Sequence, residues 1–95
     1  MNRYFLFTNT DRELKLVNVD DIISITFDFF GPYKQQFEIH VKWEAPQYFT
    51  IPNRNKGITE GEAVTLIKTM MYDMATQKHP VFNWAEFCKV KKIGG

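Results

Sequence analysis

Ile23, Ile25, Phe27 and Phe29 alternate with Ser24, Thr26 and Asp28, and Phe37, Ile39, Val41 and Trp43 alternate with Glu38, His40 and Lys42. Two such runs, separated by Gly31-Pro32-Tyr33-Lys34, are the period-two pattern of paired strands with one buried face and one wet face. Closing the hairpin with the apolar sets together places Ser24, Thr26 and Asp28 across from Glu38, His40 and Lys42 on the polar side. A helix-period core cannot be built from this segment, so the middle of the chain must be sheet.

The flanking segments extend that sheet. Arg3 to Thr8 reads as a first strand, and Asn9 to Arg12 supply turn formers before a second run opens at Glu13. In that run Leu14 and Leu16 lie on one face and Val17 and Val19 on the other, so the period breaks near Leu16, which leaves room for a bulge or a twist there. Asp20 and Asp21 make the next turn. After Trp43, Glu44-Ala45-Pro46 break the strand, and Gln47 to Ile51 read as a short fifth strand that Pro52 ends.

Thr59-Glu60-Gly61-Glu62 has the form of a capping box, in which a hydroxyl and a carboxylate satisfy free amides at a helix start. Beyond it Ala63, Leu66, Ile67, Met70 and Met74 recur at helical spacing, widened by Val64 and Met71, and one broad stripe is expected to pack on the sheet. His79-Pro80 ends the helix, because the residue before proline is pushed away from helical angles. The tail is open between two forms. Asn83-Trp84-Ala85-Glu86 can cap a short helix with Trp84, Phe87 and Cys88 inward, while Phe87 to Ile93 can run extended. The fold class is therefore α+β: an antiparallel β-meander of four to five strands over about residues 3–51, one long amphipathic helix over about 60–77 in the C-terminal half, and a short helical or extended tail over 79–95. Residues 12–25 resemble the strand-turn-strand of LytTR-type DNA-binding domains, and that resemblance implies the meander.

The chain has 95 residues, one core's worth of sequence, with nine Phe, four Tyr and two Trp, and is read as a single domain. Its formal charge of +1 provides no global field for a polyanion or an anionic membrane. No apolar run reaches the roughly 20 residues of a membrane span. Cys88 is the lone cysteine and cannot form an internal disulfide, so a cytoplasmic location is expected.

Chemistry-bearing motifs are sparse. His40 with Asp28 and Glu38 is the best catalytic constellation, since a carboxylate can orient an imidazole and raise its basicity. His40, His79 and Cys88 lack the close spacings of zinc motifs, and no phosphate loop or nucleophile elbow is present, so no metal and no cofactor is expected. Phe30, Tyr33, Tyr48, Tyr72 and Phe82 fall on turns or on the expected polar side, where aromatic residues suit docking to a protein. Arg54 and Lys56 precede a helix start, and Lys89, Lys91 and Lys92 gather beside aromatics in the tail, a pattern that can hold phosphate. The leading reading is a small non-enzymatic protein-binding module, an adaptor, subunit or inhibitor of the kind phages and mobile elements encode. The alternatives are a nucleotide or nucleic-acid binder using the basic loop 53–57 and the basic tail, and a small enzyme centred on His40. A free strand edge or an aromatic patch can also pair two copies into a homodimer.

Overall fold

The computed structural model describes residues 2–28, 35–52 and 58–91. Within them the order is β1 (Tyr4–Thr8), β2 (Leu14–Asn18), β3 (Ile22–Asp28), β4 (Gln36–Val41), β5 (Gln47–Phe49), α1 (Glu60–Thr76), β6 (Val81–Asn83) and α2 (Trp84–Val90). The fold is α+β, with the meander strands and the long helix that the sequence implies and, of its two readings of the tail, the short helix. The ladder itself is divided. A 3-10 turn at Val19–Asp21 separates β2 from β3, leaving one sheet in the order β2-β1-β6 and another in the order β3-β4-β5.

The central hairpin closes as its alternation requires. Ser24 faces His40, Thr26 faces Glu38, Ile25 faces Ile39 and Phe27 faces Phe37. Two residues expected in the core are nonetheless outside it. The register shifts between Ile22 and Ser24, so Ile23 is the extra residue of a bulge and stands 66 % exposed. Trp43 lies beyond the end of β4 at Val41, in a turn with a positive φ of 62°, and alternation no longer governs where its ring points. Of the two alternatives at Leu16 no bulge forms, because β1 and β2 pair in unbroken register from Tyr4 with Asn18 to Thr8 with Leu14. That register turns Val17 inward and leaves Leu14 and Leu16 outside.

The tail combines the two alternatives in a different place. Val81–Asn83 forms β6, parallel to β1, and the helix follows at once, with Asn83 Oδ1 accepting from Glu86 N at 3.2 Å as the cap. Trp84, Phe87 and Cys88 point inward as the helical reading requires. Their arrival completes an aromatic core. Phe37 stacks on Phe49 with centroids 5.0 Å apart, and Trp84 meets both edge-on at 5.3 and 5.1 Å, geometries that suit the ring quadrupoles. Trp84 Nε1 donates to Thr50 O at 2.9 Å, so its one polar atom is satisfied inside.

The long helix packs Ala63, Leu66, Met70 and Met74 on this core. Its capping box is formed: Thr59 Oγ1 accepts from Glu62 N and Glu62 Oε1 accepts from Thr59 N, both at 3.1 Å. At the far end Arg3 Nη1 donates to Met74 O and Gln77 O at 3.1 and 2.5 Å, a cation meeting free carbonyls at the negative end of the helix. The expected widening of the stripe does not bury its residues, since Val64 and Met71 are exposed.

Candidate functional site

Alternation along β3, β4 and β5 sends one set of side chains to the surface, and there Glu38 becomes the hub. His40 Nε2 approaches Glu38 Oε2 at 3.0 Å, and Tyr48 OH, directly across the ladder from Glu38, donates to Oε1 at 2.8 Å. The bond from His40, and then that from Tyr48, hold the Glu38 carboxyl below its ordinary 4.5. A depressed folded-state pKa contributes stability above that ordinary value, and the contribution is lost as pH falls through the lower one. In an NMR titration the Glu38 carboxyl should therefore show a midpoint below 4.5, and His40→Ala should move it back up; an unshifted midpoint in the native chain would refute the network.

Chemically this row orients an imidazole and keeps a carboxylate ionised. Ser24 lies across from His40 in the register, yet the His40 side chain is 40 % exposed. A cleft of about 290 Å³ opens elsewhere, between the end of α1 and β6–α2, lined by Asp73, Gln77, Phe82, Asn83, Glu86 and Lys91 among others. Among the described residues no group of three or more His, Cys, Asp or Glu is placed to hold a metal ion.

The residues singled out in the sequence are dispersed. Tyr72 is 68 % exposed on α1, while Tyr48 is half-buried and committed to Glu38. Phe82 is not a surface aromatic: it is 3 % exposed, because parallel pairing with Phe5 brings it into the core. Phe30, Tyr33, Arg54, Lys56 and Lys92 lie outside the described residues. Lys89 is exposed at the last turn of α2, and Lys91 Nζ stands 3.9 Å from Asp73 Oδ2, so an anion reaching Lys91 would compete with a carboxylate. Cys88 is buried, and burial pushes its thiol up to about 12, well away from nucleophilic reactivity at neutral pH.

Two exposed apolar features are not among the site residues read from the sequence. The first is Trp43 at 93 % exposure, with Ile23 at the same end of the β3–β4 ladder. Lys42 N donates to Asp21 O at 2.9 Å and Glu44 N to Val41 O at 3.2 Å, so the Trp43 turn is tied at both flanks. The second is the outer face of β1 and β2, where Leu14 and Leu16 are 70 % and 55 % exposed and Leu16 pairs with Leu6. The proline-free spacing that ends β4 one residue before Lys42 carries no sequence signal, whereas the even-numbered leucines of β2 were visible as one face of a strand.

These features define a class: a small α+β chain whose hairpins and two helices enclose an aromatic core and leave one polar sheet face and one apolar one. Among known proteins, no family model, no curated protein and no solved structure matches it.

Proposed function

We propose that the chain is a small non-enzymatic protein-binding module, an adaptor, subunit or inhibitor, and that its principal contact is the Trp43 turn. The observation that carries this reading is a tryptophan 93 % exposed on a turn held by hydrogen bonds on both sides. Leaving that much aromatic area in water costs free energy in the isolated chain. Tryptophan is also enriched among the residues that dominate binding energy, and a pre-ordered turn lowers the entropy lost on docking. Ile23, 66 % exposed near the end of the β3–β4 ladder from which the Trp43 turn leaves, adds apolar area at that end.

Trp43→Ala should leave the fold intact, because an exposed side chain away from core and caps changes stability by no more than about 0.5 kcal/mol. Native chain immobilised in lysate should retain one stoichiometric protein, and the Trp43→Ala variant should bind it at least about 30-fold more weakly, the loss of a hot-spot side chain. Retention of nucleic acid in place of protein, or equal retention by both chains, would contradict the reading.

A further inference from the structure

Strand β2 is the outer strand of the order β2-β1-β6, and its backbone is directed in a way the hydrogen bonds reveal. Asn9 N donates to Glu13 O and Val19 N to Arg3 O, both at 2.9 Å. In an antiparallel pair the residues that exchange hydrogen bonds alternate with those that do not. The odd-numbered residues of β2 therefore face β1, and Leu14 and Leu16 turn both their N–H and C=O groups outward along an edge that is unpaired among the described residues, while Asn18 adds its N–H and keeps its C=O for the 3-10 turn that it caps. The other sheet edges are blunted. The β3 edge carries a bulge at Ile23, while β5 and β6 are three residues each, next to Pro46 and Pro80 respectively. Over Leu14–Asn18 there is neither bulge nor proline, and Leu14 and Leu16 are exposed.

We infer that this edge pairs with the same edge of a second copy, antiparallel about a two-fold axis at Leu16, joining two three-stranded sheets into one of six strands. The sequence Leu14-Lys15-Leu16-Val17-Asn18 selects both the occupant and the register. With Leu16 opposite Leu16, all five residues overlap, Leu14 meets Asn18, and Lys15, the only charge in the strand, meets Val17. A two-residue slip one way sets Lys15 against Lys15, and like charges directly opposite are destabilising. The opposite slip shortens the overlap. Pairing at Leu16 also gives that side chain an apolar neighbour on its open flank, continuing the row that starts at Leu6 in β1. Lys15 Nζ is 4.0 Å from Glu13 Oε1, and the whole chain carries a formal charge of only +1, so two copies meet without strong repulsion.

Sedimentation of the native chain should show a monomer–dimer equilibrium with the dimer populated by roughly 100 μM. Leu16→Lys, which opposes two ammonium groups at the axis, should weaken it at least about tenfold with an unchanged circular dichroism spectrum. Leu16→Cys should cross-link into a dimer under mild oxidation much faster than Ile23→Cys, a somewhat more exposed position on the other sheet; the buried Cys88 takes no part. A native chain that stays monomeric at that concentration overturns the inference, as does cross-linking no faster at position 16 than at 23. A monomeric chain whose capture of a different protein is abolished by Leu16→Lys also overturns it, and assigns the edge to that protein. None of these outcomes depends on Trp43, so they separate this pairing from the docking proposed above.

Discussion

Phe37→Ala is expected to destabilise the protein by about 3–5 kcal/mol, the range for removing a large aromatic side chain from a packed core. Phe37 is fully buried near the start of β4 and touches rings from three directions: Phe49 stacked at 5.0 Å, Phe27 edge-on at 4.6 Å and Trp84 edge-on at 5.3 Å. Those neighbours belong to β5, β3 and α2, so alanine leaves a cavity that no single element can collapse into. Since small folded chains are held by only about 5–15 kcal/mol, such a loss leaves a marginal native state. Urea denaturation should show a large fall in midpoint, and a loss below about 1 kcal/mol would mean that the core is not organised around this ring.

Asn9→Ala should cost about 2–3 kcal/mol, although it removes little apolar area. Asn9 is the one buried polar residue of the described chain, at 5 % exposure, and its amide is fully engaged. Its Oδ1 accepts from Asp11 N and Glu13 N at 3.0 and 2.9 Å, which builds the β1–β2 turn. Its Nδ2 donates to Glu13 Oε1 and Gln47 Oε1 at 3.1 and 2.8 Å, which ties that turn to β5 in the other sheet. Alanine strands partners on both sides. Asn9→Asp is the informative companion: it keeps the two acceptor bonds but places a carboxylate against the Glu13 carboxylate and the Gln47 carbonyl, so it should recover part of the stability and recover more at acidic than at neutral pH. Equal stability of Asn9→Ala and the native chain in thermal melts would show that the Asn9 side chain does not tie the two sheets and that the neighbouring Thr10 N to Tyr48 O bond, at 2.9 Å, suffices.

Much of this architecture is legible in the sequence because its signals are local. Alternation over Ile25 to Phe27 and Phe37 to Val41 specifies a face, the Thr59–Glu62 box specifies a helix start, and Asn83 specifies the start of the second helix. The departures have non-local or single-residue causes. Whether Ile23 continues a strand or occupies a bulge depends on how Ile22 and Ser24 pair with Val41 and His40 on the other strand, and Trp43 leaves the pattern because its backbone adopts a positive φ. Phe82 is unreadable for a similar reason, since only the parallel pairing of β6 with β1, far apart in the chain, carries it inward. The expectation of surface aromatics holds at Tyr72 and fails at Phe82, and it does not include the most exposed ring, Trp43. Rings from both ends fill the core, and the exposed tryptophan is one that alternation assigns to it.

Trp43 carries the functional proposal only if it stands in solvent while Trp84 is sealed, and the two indoles make that directly measurable. Acrylamide quenching of the native chain should resolve an accessible, red-shifted emission and a protected, blue-shifted one, and Trp43→Ala should abolish the accessible part while leaving the Trp84 part unchanged. If Trp43→Ala instead leaves the accessible fraction in place, or removes a protected one, the Trp43 ring is packed against the protein and is not its point of contact.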